Sequence, residues 1–167
     1  MGRSFPQTSV VATVFAAVVM SVTGLGTSAG EAVRGIAVVI DGQTLEIGGR
    51  RVTLEGILAP PLAMDCETRR GKPYPCGGLA RQALSDIVEG KPLSCTVAAT
   101  AKAGVPPLAV CQLGPFLLSE LVISTGRVMA RPGVSERYDK AARAAQLLGE
   151  GLWKGRFPPP ETWRAAP

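Results

Sequence analysis

The chain of 167 residues contains no histidine. That absence removes the commonest general base and, with it, the Ser-His and Cys-His nucleophile pairs. Aromatic residues make up only 5% of the chain, which is thin provision for the stacked rings on which unpaired bases are held. The four cysteines, Cys66, Cys76, Cys95 and Cys111, include no Cys-x-x-Cys pair. Without histidine, zinc would need all four thiolates at ill-suited spacings. No Gly-rich phosphate loop and no internal repeat is present, which excludes nucleotide-loop enzymes and solenoids.

What is present suits one domain. Apolar residues are 46% of the chain, ample for a single core, and the net charge is +5. That mild basicity suits anionic polymers or headgroups without singling out any of them. After Arg3 no charged residue occurs until Glu31, and "SVVATVFAAVVMSVTGLG" fills the interval before "GTSAG". A basic start, an apolar centre and a small-residue exit predict an export signal over residues 1–29, cut after Ala29 with Thr27 three positions in. The alternative is an uncut membrane anchor, although Ser, Thr and Gly interrupt the run. The domain proper is then 30–167, periplasmic or secreted, with no membrane contact beyond the signal. An even set of cysteines in an exported chain predicts two disulfides, with three pairings open.

Apolar and β-branched runs predict strands in "VRGIAVVI", "QTLEI" and "RVTLEGI", joined at "DG" and "GGR" into an antiparallel meander. In the last strand Val52, Leu54 and Gly56 alternate with Thr53, Glu55 and Ile57. "APPLAMDCETRRGKPYPCGG" reads as a Pro- and Gly-rich loop that a Cys66–Cys76 bridge would close. "GLARQALSDIVEG" has Leu79, Ala83, Leu84, Ile87 and Val88 on one helical face, with Gly90 as a stop. "PLSCTVAA" and "PLAVCQL" are two further strands, which a Cys95–Cys111 bridge would tie. This strand reading favours bridging the cysteines as neighbours in order. "FLLSELVISTG" reads as a helix. Another follows in "RYDKAARAAQLLGEGLW", with Tyr138, Ala141, Ala142, Ala145 and Leu148 on one stripe. Its Arg137, Lys140 and Arg143 read as a solvated face. The Pro-rich tail cannot be helical through its centre. The expectation is an α+β fold: five short strands closing as a small Greek-key barrel, with about three helices.

Together "GIAVVIDGQTLEIGGRRVTLEGILAPP", "GKPYPCGGLARQALSDIVEGKPLSCTV", "LAVCQL", "VISTGRVMA" and "AARAAQLLGEGLWKGRFPPPETWR" resemble the staphylococcal-nuclease-like, or thermonuclease, family. The resemblance implies a five-stranded OB-fold barrel and, for active members, calcium-dependent hydrolysis of DNA and RNA. It also implies where the chemistry should lie. The family's Asp-Gly-Asp-Thr turn is "DGQT" here, with Asp41 retained and Gln43 at the metal carboxylate. The family's Arg-Leu-x-Gly-Ile-Asp-Ala-Pro-Glu segment is "TLEGILAPP", so Thr53 replaces a phosphate-binding Arg, Leu58 a metal-binding Asp and Pro61 the proposed base. The second phosphate Arg falls near Val105 or Pro106, in a loop without Asp, Tyr or Arg.

An amide can offer calcium an oxygen without charge, a leucine cannot ligate, and a proline carries no side-chain base. Loss of one charge-stabilising donor alone typically costs about a hundred- to a thousandfold in rate. The expectation is therefore a non-catalytic binding protein with no cofactor. The alternative is a calcium-dependent nuclease with an atypical site, drawing on Asp41, Glu46, Glu55 or Lys102. Leu58 and Pro61 would make the groove apolar, favouring a protein or peptide ligand. Arg50, Arg51, Arg69, Arg70 and Lys72 offer a basic rim for a weaker nucleic-acid contact, with Tyr74 as the nearby ring. A monomer is expected.

Overall fold

The computed structural model describes residues 1–2, 30–99 and 103–163. The predicted signal, Lys102 and the terminal Arg164 therefore lie outside the described residues, apart from Met1 and Gly2. No described helix is long and apolar enough to cross a membrane.

Among the described residues the fold is mixed α+β, with three α-helices and a mainly antiparallel sheet. Strand β1 (Glu31–Val39) pairs antiparallel with β2 (Thr44–Ile47), and β2 pairs likewise with β3 (Arg50–Leu54). The expected meander is thus present, but its third strand is shorter than the alternation suggested. The chain turns at Glu55–Gly56 and re-enters as β4 (Ile57–Leu58). Gly56 has φ of 77°, which resets the side-chain alternation, so Ile57 joins Val52 and Leu54 in the core instead of facing away from them.

The segment expected to be a loop carries two strands, β5 (Cys66–Thr68) and β6 (Pro73–Tyr74). Helix α1 (Cys76–Val88) begins at Cys76 itself and buries Cys76, Gly77, Ala80, Leu84 and Val88. Leu79, Ala83 and Ile87 lie at the margins of that stripe, half-buried. Strands β7 (Pro92–Val97) and β8 (Leu108–Leu113) form the expected pair. Phe116–Leu117, expected to be helical, is a short strand, β9, on the edge of β8, and α2 (Leu118–Ser124) follows it directly.

Strand β10 (Met129–Ala130) pairs with β4. Helix α3 (Glu136–Leu148) ends at Gly149 in the left-handed conformation, φ 65° and ψ 36°. It buries Tyr138 and Ala145, with Ala141 and Ala142 packed against the core, whereas Leu148 is 75% exposed. At 100° per residue Leu148 lies about 80° from Tyr138, at the edge of the stripe, just as the chain turns away. The tail adds β11 (Gly155–Arg156), which pairs with β5 and completes a three-stranded sheet, β11-β5-β6.

The main sheet runs β3-β2-β1-β7-β8-β9. A short parallel pairing of Thr53 and Leu54 with Leu108 and Ala109 brings β3 back to β8. The principal core fills the space so enclosed, with Leu45, Ile47, Leu54, Leu93 and Val97 fully buried beneath α1 and α2. A second, smaller cluster gathers Cys66, Cys76, Leu152 and Trp163. Both disulfides join neighbours in order: Cys66–Cys76 lies in the small cluster, and Cys95–Cys111 links directly opposed residues of β7 and β8.

Candidate functional site

The turn between β1 and β2 is built around Asp41. Its Oδ1 accepts the N–H of Gln43 at 2.8 Å and of Thr44 at 2.7 Å, the pattern of an Asx turn. Gly42 seats this turn on the molecule: a Cβ there would come within 2.8 Å of the Ala59 Cβ and 2.9 Å of the Ala80 Cβ. The turn therefore packs directly on the chain after β4 and on α1.

Gln43 is held at both ends. Its carbonyl accepts the Leu54 N–H at 2.8 Å, and its side-chain Oε1 accepts the Ala59 N–H at 3.0 Å. The amide oxygen at the resemblance's metal position is thus engaged with the chain itself. Thr53, half-buried, donates its N–H to the Pro107 carbonyl at 2.8 Å, which ties β3 to the residue just before β8. Leu58 pairs with Met129 and packs against the small disulfide cluster. Pro61 accepts the Met64 N–H at 2.8 Å and lies against Gly77, where a Cβ would overlap its carbonyl and sit 2.8 Å from that of Leu62.

Gln43 thus ties the β1–β2 turn to Leu54 and to Ala59, the sequence neighbours of Thr53 and Leu58. The chemistry of these residues does not fit a calcium ion. Asp41 already accepts two backbone N–H groups through one oxygen, Gln43 accepts another, and Leu58 brings no oxygen. Among the described residues no three Asp, Glu, Cys or His side chains converge. Glu46 pairs instead with Arg51 at 3.2 Å, and half-buried Glu55 offers its backbone carbonyl to the Ser119 hydroxyl at 2.8 Å.

The basic rim divides in two. Arg50 pairs with Glu31 and Arg51 with Glu46, so the pair on β3 is largely neutralised locally. Arg69, Arg70 and Lys72 lie exposed on the turn of the separate β5–β6 hairpin, which Lys72 closes by donating its N–H to Thr68 Oγ1 at 3.0 Å. Tyr74 pairs with Cys66 across that hairpin and packs against the small cluster, so it serves no base-stacking surface beside Arg50 and Arg51.

Two open clefts flank the small sheet. One, of about 260 Å³, is lined by Asp65, Cys66, Glu67, Arg156, Phe157 and Pro158, and the Arg156–Glu67 ion pair at 2.9 Å spans its wall. The other, of about 180 Å³, is lined by Thr68, Tyr74, Arg127, Gly151 and Lys154. Neither includes Gln43, Thr53, Leu58 or Pro61. Arg127 and Lys154 carried no signal in the sequence, because nothing in their spacing relates them to Tyr74.

No protein-family model matches the chain. The chain is similar to the succinoglycan biosynthesis protein ExoI of Rhizobium meliloti (strain 1021), at 29% identity over 130 residues, covering 77% of this chain and 68% of that protein.

Proposed function

We propose that this chain is an exported, staphylococcal-nuclease-like OB domain that has lost catalysis and acts by binding. The observation that carries the reading is the Gln43 side chain. At the position where an active member holds a metal carboxylate, its amide oxygen accepts the Ala59 N–H and ties the turn to the segment after β4. Leu58 and Pro61 support the same reading, since both are packed into the frame and neither bears a ligand or a base. The return of β3 to β8 supports the barrel.

Binding by such a domain draws on exposed Leu62 and the half-buried Leu58 and Pro61 near it, an apolar surface that suits a protein or peptide better than a phosphate chain. The pairing of Arg50 and Arg51 with glutamates weakens the case for nucleic acid. The name of the similar protein, a succinoglycan biosynthesis protein, supports a setting in biosynthesis over one in degradation.

The test is release of acid-soluble nucleotides from single-stranded DNA and RNA by the mature, oxidised protein, with calcium and with chelator. A mock preparation and a Leu58→Asp variant run beside it control for trace host nuclease. The expected result is no calcium-dependent release above the mock. Cleavage that copurifies with the protein and disappears with chelator would overturn the reading.

A further inference from the structure

The cleft between the small sheet and the 3-10 turn Gly151–Lys154 brings together three groups that the preceding reading leaves without a role. The Tyr74 hydroxyl is buried and, among the described residues, has no hydrogen-bond partner. Burial pushes its phenol above the ordinary value of 10.0, against the opposing pull of the Arg127 charge, so at neutral pH it is an O–H donor in need of an acceptor. Arg127 lines the same cleft half-buried, and its guanidinium makes no hydrogen bond or ion pair among the described residues. Lys154 completes the set, pairing at 2.9 Å with Glu150. That hydrogen bond, with the charges of Lys154 and Arg127, holds the Glu150 carboxyl below its ordinary 4.5.

We propose that this cleft is a binding site for a small organic carboxylate. Two cations against one glutamate leave a single unbalanced positive charge, which one carboxylate neutralises. A dianion would face Glu150 at the rim. The carboxylate accepts from the Arg127 guanidinium, whose planar fork matches two oxygens, and from the Tyr74 hydroxyl, which turns out of the cleft wall to meet it. The Tyr74 ring forms an apolar wall, Gly151 presents no side chain, and a space of about 180 Å³ admits a small acid or one acidic sugar. None of these residues is Asp41, Gln43, Thr53, Leu58 or Pro61, so the site stands apart from the proposed loss of nuclease chemistry. Calcium-dependent cleavage would overturn that reading and leave this one intact.

The experiment is a nitrogen-15 NMR titration of the oxidised protein at constant ionic strength, with separate arms of acetate, glucuronate and inorganic phosphate. Saturable shifts at the Gly151 and Leu152 amides and the Arg127 Nε–H with acetate or glucuronate are expected, and whichever binds more tightly identifies a free acid or a sugar acid as the source. Tyr74→Phe and Arg127→Gln should each weaken binding about tenfold, as expected for loss of one charge-assisted hydrogen bond, whereas Arg50→Gln should not change it. Tyr74→Phe keeps the ring and Arg127 is partly exposed, so at least one variant remains folded by circular dichroism. Absence of saturable shifts in both carboxylate arms, response to phosphate alone, or unchanged affinity in the folded variants would overturn the proposal.

Discussion

Gln43 shows how one uncharged side chain can hold a turn against a distant segment. Its Oε1 bond to the Ala59 N–H joins residues far apart in sequence, and removing it leaves a part-buried donor without a partner. Gln43→Ala should therefore destabilise by about 1 to 2 kcal/mol, and Gln43→Asp by a similar amount, because the shorter side chain cannot reach. A melting temperature lower by about 3 to 8 °C checks this. Gly77 is a sharper case. Alanine is the better helix former by about 1 kcal/mol, yet at Gly77 its methyl would overlap the Pro61 carbonyl. Gly77→Ala should consequently destabilise by about 2 kcal/mol or more in denaturant titration. Tyr74 carries a pH prediction. Its folded-state pKa is raised, chiefly by desolvation, so its contribution is present below about 10 and is lost as pH rises through the higher folded value. Tyr74→Phe should flatten the fall in stability above pH 10 or so, measured by urea denaturation across the alkaline range. The side-chain chemistry of Gln43, Thr53, Leu58 and Pro61, with no carboxylate or cation among them, was legible in the sequence. Their partners were not, because a hydrogen bond from Gln43 to Ala59 depends on how a turn lies against a distant segment.

At the scale of elements, periodicity located the central helices and strands and misjudged their ends. The first helix starts at Cys76 because the residues after Pro75 pack against Pro61 and Leu62, and the helical face extends through Cys76 and Gly77. The supposed loop carries strands because β11, from the tail, supplies a partner that no local pattern reveals. This small sheet depends on the Cys66–Cys76 bridge and on Trp163, which is 6% exposed, packs edge-on to Phe157 and donates its indole N–H to the Pro158 carbonyl at 2.9 Å. Trp163→Ala should cost about 3 kcal/mol by opening that cluster. Replacing both Cys66 and Cys76 by Ser should cost about 2 to 3 kcal/mol in the chain-entropy account. Amide exchange should then rise at Thr68, Gly71 and Leu152 well before it rises in β1 or β7. Equal acceleration in the main sheet would show instead that the two clusters unfold as one unit.

For the whole molecule, the sequence by itself determined the mixed α+β class, the meander and the approximate positions of the helices. It also favoured the cysteine partners. These follow from period, turn chemistry and side-chain chemistry, which are carried by residues near one another in the chain. The return of β3 to β8, the capture of the Pro-rich tail by the disulfide cluster and the meeting of Tyr74, Arg127 and Lys154 were decided only in the tertiary structure. Each joins segments separated by tens of residues, and each is selected by the burial of apolar surface between whole elements rather than by any local preference. Leu148 makes the same point from the other side: the helical stripe extends to it, but it remains exposed because none of the described elements lies over it.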